Sequence, residues 1–135
     1  MGVKKRQKAE RIKEAKKGQY FAKLRNCPAS ARKMRLIADM VRGVEVNEAL
    51  DILRFNPKKA SKYMEKLLMS AIANWQVKNE GVRMEDSNLY ISKIYVDEGR
   101  MLKRIKPAAQ GRAHLIRRKT NHVTLVLDSL NQEEN

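Results

Sequence analysis

The stretch DEGRMLKRIKPAAQGRAHLIRRKTN, residues 97–121, decides how the rest of the chain is read. It carries eight basic residues against Asp97 and Glu98, a net +6, and lacks the apolar period of an amphipathic helix. A structureless loop of that length is uncommon in a small domain and is either functional or disordered. Pro107 and Gly111 bracket a small-residue tip, Ala108, Ala109 and Gln110, which fits a hairpin turn. Two paired strands of about a dozen residues, at ~3.3 Å each, would project roughly 40 Å from the body. An isolated two-stranded ribbon is marginal in water. This one must therefore take stability from a partner that tolerates +6, a nucleic acid. A disordered basic loop is the alternative for the free protein.

On either side the chain turns β-rich. Residues 89–96 (LYISKIYV) and 122–127 (HVTLVL) are dense in β-branched and aromatic residues and read as strands. Residues 19–25 (QYFAKLR) alternate loosely as a first strand, closed by Asn26, Cys27 and Pro28. Helices fill the interval. Ser30 is the expected N-cap of a helix through Arg42, with Gly43 as its stop and Met34, Ile37, Ala38 and Val41 as its buried stripe. Asn47 is the expected cap of a short second helix, buried through Ala49, Leu50 and Leu53. Asn56-Pro57 opens a third, which runs to about Asn79 before Gly81. In it Ala60, Tyr63, Met64, Leu67, Leu68, Ala71, Ile72 and Trp75 recur every three or four residues. These elements predict an α+β fold, a three-stranded antiparallel sheet packed against three helices, with a long protruding β-hairpin. The expected division is a basic extension over 1–18, one domain over 19–128 that includes the hairpin, and a polar tail over 129–135.

The whole chain has 135 residues, with 30 Lys and Arg against 15 Asp and Glu, a net +15. Residues 1–17 hold a second concentration, eight basic against two acidic, so the remaining 93 residues are nearly balanced. Segments that meet phosphate gain from clustered positive charge, whereas a body that must fold alone does not. Ala9, Ile12 and Ala15 give the first 17 residues only a thin apolar stripe, so they read as a lone basic helix or a flexible arm. An RNA-binding arm and a solvated tail both fit. The segment lacks the apolar stretch of a secretory signal, and its two Glu and absent Ser speak against a mitochondrial presequence. Arg6 stands where a myristoylation motif wants Ser or Thr. No apolar run approaches the roughly 20 residues of a membrane span. One cysteine, Cys27, rules out an internal disulfide and a multi-thiolate zinc site. The expectation is a soluble, strongly basic protein of a reducing compartment.

Candidate RNA contacts follow from the charge. Arg32, Arg35 and Arg42, with Asp39, share one side of the first helix as a short basic ridge, and Lys33 adds to it. Lys58, Lys59, Lys62 and Lys66 decorate the third helix, towards phosphate or towards solvent. On the hairpin the candidates are Arg100, Lys103, Arg104, Lys106, Arg112, His114, Arg117, Arg118 and Lys119. No active site, cofactor or metal is expected. Cys27 has no His or acid near it, and His114 and His122 lack a second pair of ligands. There is no phosphate-cradling Gly-rich loop and no Ser-centred elbow. Asp97-Glu98 could be a metal or acid–base pair, but beside Arg and Lys they are expected to form structural ion pairs. A rival reading joins helices 31–42 and 47–54 into a DNA-binding helix-turn-helix. Its recognition helix would then hold Glu48 and Asp51 with only Arg54 basic. A second rival, an RNA-modifying enzyme, needs a cofactor pocket for which no motif exists.

Several stretches together resemble a known family, protein twenty-two of the large ribosomal subunit in its bacterial form. They are SARKMRLIADMVRG (30–43), KLLMSAIAN (66–74), KIYVDEG (93–99), LKRIKP (102–107), GRA (111–113) and KTNHVT (119–124). They fall in order over about residues 19–127. The resemblance implies a globular α+β domain on the outside of the subunit near the exit of the nascent-peptide tunnel. It implies a hairpin that threads inward between rRNA segments, bridges several rRNA domains during assembly and lines the tunnel. Leu102, Lys103 and Arg104 match the stretch associated with macrolide response. Ala108, Ala109, Gln110, Gly111 and Arg112 match the tip, with Arg112 the residue expected to face the lumen. Large-subunit rRNA, neighbouring ribosomal proteins and the nascent polypeptide are the implied partners, in the cytoplasm, with no membrane contact and no homo-oligomer. Two departures stand out: Ala108 and Gln110 make this tip less basic, and the arm before Tyr20 is long. Charge and resemblance agree on binding by counterion release and by recognition of A-form shape and backbone.

Overall fold

The last strand organises the sheet. In the computed structural model, which describes residues 2–130, β5 (Asn121–Ser129) runs antiparallel between β1 (Tyr20–Cys27) and β2 (Leu89–Glu98). Asn121, Val123, Leu125 and Leu127 point inward and are buried, while His122, Thr124 and Val126 on the other face are half-buried. That is the period-2 pattern of a sheet covered on one side. β2 carries the same pattern with a break: Leu89 and Ile91 are buried, then Ile94 and Val96. The change of parity comes from one extra residue between Ile91 and Lys93, where the Ser92 hydroxyl donates to the Val126 carbonyl (3.2 Å).

The helices lie on the inner face. α2 (Ala31–Val41) starts at Ser30, whose hydroxyl accepts from the Lys33 N–H, and buries Ala31, Met34, Ile37, Ala38 and Val41. α3 (Val46–Phe55) begins one residue before the expected cap. Asn47 lies inside it, because Val46 is needed in the core, where it is 1% exposed. Leu50 is half-buried beside the buried Ala49 and Leu53. α4 (Lys59–Lys78) buries the expected stripe, with Tyr63 half-buried, and adds Ser61. Asn56 acts two residues ahead of the cap residue, Lys58, rather than as the cap. Its side chain accepts from the Lys58 N–H (2.9 Å), while Ser61 donates back to the Lys58 and Asn56 carbonyls. α4 lies along β1 and β5, α2 covers β2, and α3 packs on α4.

Ahead of this body, α1 (Gly2–Lys17) is a helix with no buried residue, so the first of the two alternatives holds. Its Lys, Arg, Glu, Gln and Ala are strong helix formers, and Arg6 and Glu10 pair one turn apart (3.2 Å). The Lys78 ammonium at the end of α4 donates to the Lys17 and Gln19 carbonyls, tying the helix end to the body. At the other terminus β5 continues past Leu127, with Asp128 and Ser129 still paired to Tyr90 and Leu89. Residues 131–135 of the expected tail lie outside the described residues.

Asn121 is the one polar residue in the buried row of β5 and is 0% exposed. Its amide donates to the Ala29 carbonyl (2.7 Å), pinning the turn that feeds α2. Opposite it, Cys27 is buried, and desolvation pushes its thiol pKa up, with a weaker downward pull from Asn121. Asn121→Ala strands the Ala29 carbonyl and is expected to lower the unfolding free energy by about 1–3 kcal/mol in urea denaturation.

Candidate nucleic-acid interface

Beyond the Glu98–Asn121 pair the sheet ladder stops, and three residues, Gly99, Arg100 and Met101, face two, Lys119 and Thr120. The mismatch has the count of a β-bulge and re-aims the strands that follow. Its geometry needs a glycine. The Gly99 N–H donates to the Thr120 carbonyl (2.9 Å), and a Cβ on Gly99 would sit 2.5 Å from the Thr120 hydroxyl oxygen. That hydroxyl is itself committed, donating to the Arg100 carbonyl (2.6 Å).

The segment past this foot is a hairpin. β3 (Leu102–Pro107) pairs antiparallel with β4 (Ala113–Arg118), six residues on each strand rather than a dozen, about 20 Å of ladder at ~3.3 Å per residue. The Ala108 N–H donates to the Arg112 carbonyl (2.8 Å), and positive φ at Gln110 (60°) and Gly111 (70°) turns the chain. Every residue of both strands is exposed.

Directly opposed residues share a face, so the register sorts the side chains. One face holds the pairs Leu102–Arg118, Arg104–Ile116 and Lys106–His114. The other holds Lys103–Arg117, Ile105–Leu115 and Pro107–Ala113. The first is the more basic. On the second, Lys103 and Arg117 set like charges directly against each other, which is unfavourable without an anion between them. Ile105 and Leu115 remain 72% and 53% exposed, apolar area that an isolated domain normally hides.

The candidates on the body divide into two groups. Arg35 and Arg42 are partly engaged within the fold. The Arg42 guanidinium donates to the Ile94 carbonyl and to Asp39, and the Arg35 guanidinium donates to the Val96 carbonyl. β2 is an edge strand, and at Ile91 its N–H donates to the Val44 carbonyl while its carbonyl accepts from the Gly43 N–H. The two arginines thus cover an edge that would otherwise invite pairing with another chain. Lys33, Lys58 and Lys59 are instead free of the core and come together with Arg117, Arg118 and Lys119 around one groove of about 820 Å³. Arg32 borders a smaller cleft across the hairpin foot with Met101 and Glu98. Lys62 is exposed on α4 outside both.

The remaining chemistry is sparse. Asp97 and Glu98 are exposed, and among the described residues neither makes the expected ion pair. As neighbours on a strand they point to opposite faces, and water solvates both. His122 Nδ1 accepts from the Asn26 N–H (3.0 Å), a structural contact to backbone. No cluster of three His, Cys, Asp or Glu able to hold a metal occurs among the described residues. None of their helices is long and apolar enough to cross a membrane. In the helix-turn-helix rival the one basic residue of the recognition helix, Arg54, is exposed and stands 3.8 Å from Glu65 on α4, beside Glu48 and Asp51 of its own helix.

Comparison with known proteins gives the same answer. The model of the ribosomal protein L22p/L17e family matches residues 22–128, body and hairpin together, and begins after α1. Large ribosomal subunit protein uL22 of Christiangramia forsetii is 60% identical over 134 residues, 99% of both chains. The uL22 proteins of Flavobacterium psychrophilum and Porphyromonas gingivalis are 58% and 55% identical, covering 99% and 100% of this chain and 98% and 100% of theirs. Because these alignments are full-length, the basic α1 belongs to the length shared with them. The relatives are ribosomal proteins and not enzymes. With its family-matching segment running from within β1 to within β5 and covering the hairpin, the chain belongs to the ribosomal protein L22p/L17e family.

Proposed function

We propose that the protein is a structural, non-catalytic component of the large ribosomal subunit in the cytoplasm. Residues 19–128 act as one unit on large-subunit rRNA, with residues 1–18 as a second basic contact. The hairpin carries this reading. Its ladder is exposed on both faces, and it opposes Lys103 to Arg117 with no acid nearby in the ribbon. Such a ribbon is stable where phosphates fill the gap between its cations and bases or protein cover Ile105 and Leu115. Arg100, Lys103, Arg104, Lys106, His114, Arg117, Arg118 and Lys119 contact rRNA along its length. On the body Arg32, Lys33, Lys58, Lys59 and Lys62 contact phosphate, as do the N–H groups of Arg35 and Arg42 left over from the edge of β2. The reach of the hairpin lets it touch separated rRNA domains and hold them during assembly. The tip from Ala108 to Arg112 lines the nascent-peptide tunnel near the macrolide site, with Lys103 and Arg104 on the strand leading to it, while Leu102 sits at the hairpin foot beside α2 and α4. Neighbouring ribosomal proteins and the nascent chain are further partners, and the protein acts as a single copy without a membrane.

Ultraviolet crosslinking in lysate, with mass spectrometry of the peptides and sequencing of the attached RNA, tests this. The expected result is adducts on residues 100–119 to several separated regions of large-subunit rRNA. Adducts confined to other RNAs or to DNA would overturn it.

A further inference from the structure

The groove at the foot of the hairpin differs in kind from the hairpin itself. Its walls are the starts of α2 and α4 and the segment from Arg117 to Thr120, and no Asp or Glu lines it. Six cations rim it: Lys33, Lys58, Lys59, Arg117, Arg118 and Lys119. Its floor, however, is apolar. Leu36, 53% exposed on α2, Tyr63, half-buried on α4, and Leu102, 46% exposed on β3, face the same space. Phosphate alone accounts for the rim but leaves this floor wet. An A-form duplex presents phosphates and 2′-hydroxyls and keeps its bases stacked inside, so it cannot cover the floor either. An unpaired nucleotide satisfies both parts, because its base offers a flat π-face and its flanking phosphates are anionic. The volume of about 820 Å³ lies within the range of ~300–1,000 Å³ that holds small molecules.

We infer that this groove takes an unpaired RNA nucleotide, its base laid on Leu36, Tyr63 and Leu102 and its phosphates on the lysine and arginine rim. The inference rests on the RNA-binding reading above and assigns the nucleotide's state to that site. It also gives the occupant a mechanical role. Two walls belong to the rigid helical body and the third to the hairpin foot, so a nucleotide wedged between them fixes the angle at which the hairpin leaves the domain.

Zero-length ultraviolet crosslinking joins bases, not phosphates, to side chains, and applied to intact large subunits it reads the groove directly. A mononucleotide adduct on the peptides carrying Leu36 or Tyr63, alongside adducts on the hairpin, is the expected result. Hairpin adducts with none on α2 or α4 peptides would overturn the inference and leave the RNA-binding reading standing. Absence of both would overturn the two together. In the free full-length protein, Leu36→Ser with Tyr63→Leu alters the floor without altering charge. The pair should weaken binding of single-stranded hexauridylate by about tenfold and change binding of a twelve-base-pair RNA duplex by less than about twofold. Leu36→Ser alone, at a position already half-exposed, keeps the test open if the double variant folds poorly. An equal loss for both RNAs, or for neither, would count against a base-binding floor.

Discussion

Replacing residues 100–119 by a two-residue turn is expected to abolish most rRNA affinity while leaving the domain as stable as before. The excised segment holds eight basic residues and no acid. If about six of these neutralise phosphates, the slope of log affinity against log salt should fall by roughly 4–6, with affinity down by about a thousandfold or more at moderate salt. Stability should not follow, because β3 and β4 have no buried residue. The unfolding free energy is expected to stay within about 1 kcal/mol or to rise slightly, since a shorter connection loses less closure entropy. Titration of a large-subunit rRNA fragment at several potassium chloride concentrations, with urea denaturation of the same protein, measures both. An unchanged slope would mean that the body and α1 do the binding, and the role proposed for the hairpin would fall.

This separation of body from ribbon was legible in the sequence because both halves rest on local signals. The stripe from Ala60 to Trp75 repeats at the helical period over four turns, and such a stripe buries itself wherever the helix lies. The 97–121 segment announces itself by charge and by the small residues of its tip. What stayed hidden depends on contacts between distant parts of the chain. A helical wheel sets Arg35 and Arg42 on the polar side of α2 but does not say that this side meets the edge of β2, where the Ile94 and Val96 carbonyls wait for donors. The parity change in β2 follows from Ser92 being unpaired opposite β5, and nothing in LYISKIYV marks that residue as extra. Asn47 and Asn56 are good caps by residue type, yet burial of Val46 and the turn at Lys58 shift both helix starts. The groove is the extreme case. Lys33, Lys58 and Arg118 are spread over more than half the chain, and each alone looks like a solvated surface charge.

Leu125→Ala provides the converse of the hairpin deletion, a large loss of stability with RNA recognition preserved. Leu125 lies on the central strand, opposite Ala22 on β1 and Ile94 on β2, and is 0% exposed. Buried Leu→Ala changes cost about 2–5 kcal/mol, more where the surroundings cannot collapse into the space. Here one cross-strand neighbour is already alanine, and the strands on both sides hold the backbone in place. The upper part of that range is therefore expected, a large share of the roughly 5–15 kcal/mol that stabilises an ordinary domain. The melting temperature should drop by more than about 10 °C. Below that temperature the hairpin keeps its own ladder and its eight cations, so the salt slope of rRNA binding should match that of the unsubstituted protein. A slope that falls along with the melting temperature would show that the ribbon depends on the packing beneath it. In that event the foot at Gly99 and Thr120 transmits strain from the core, and the hairpin cannot be treated as an independent contact.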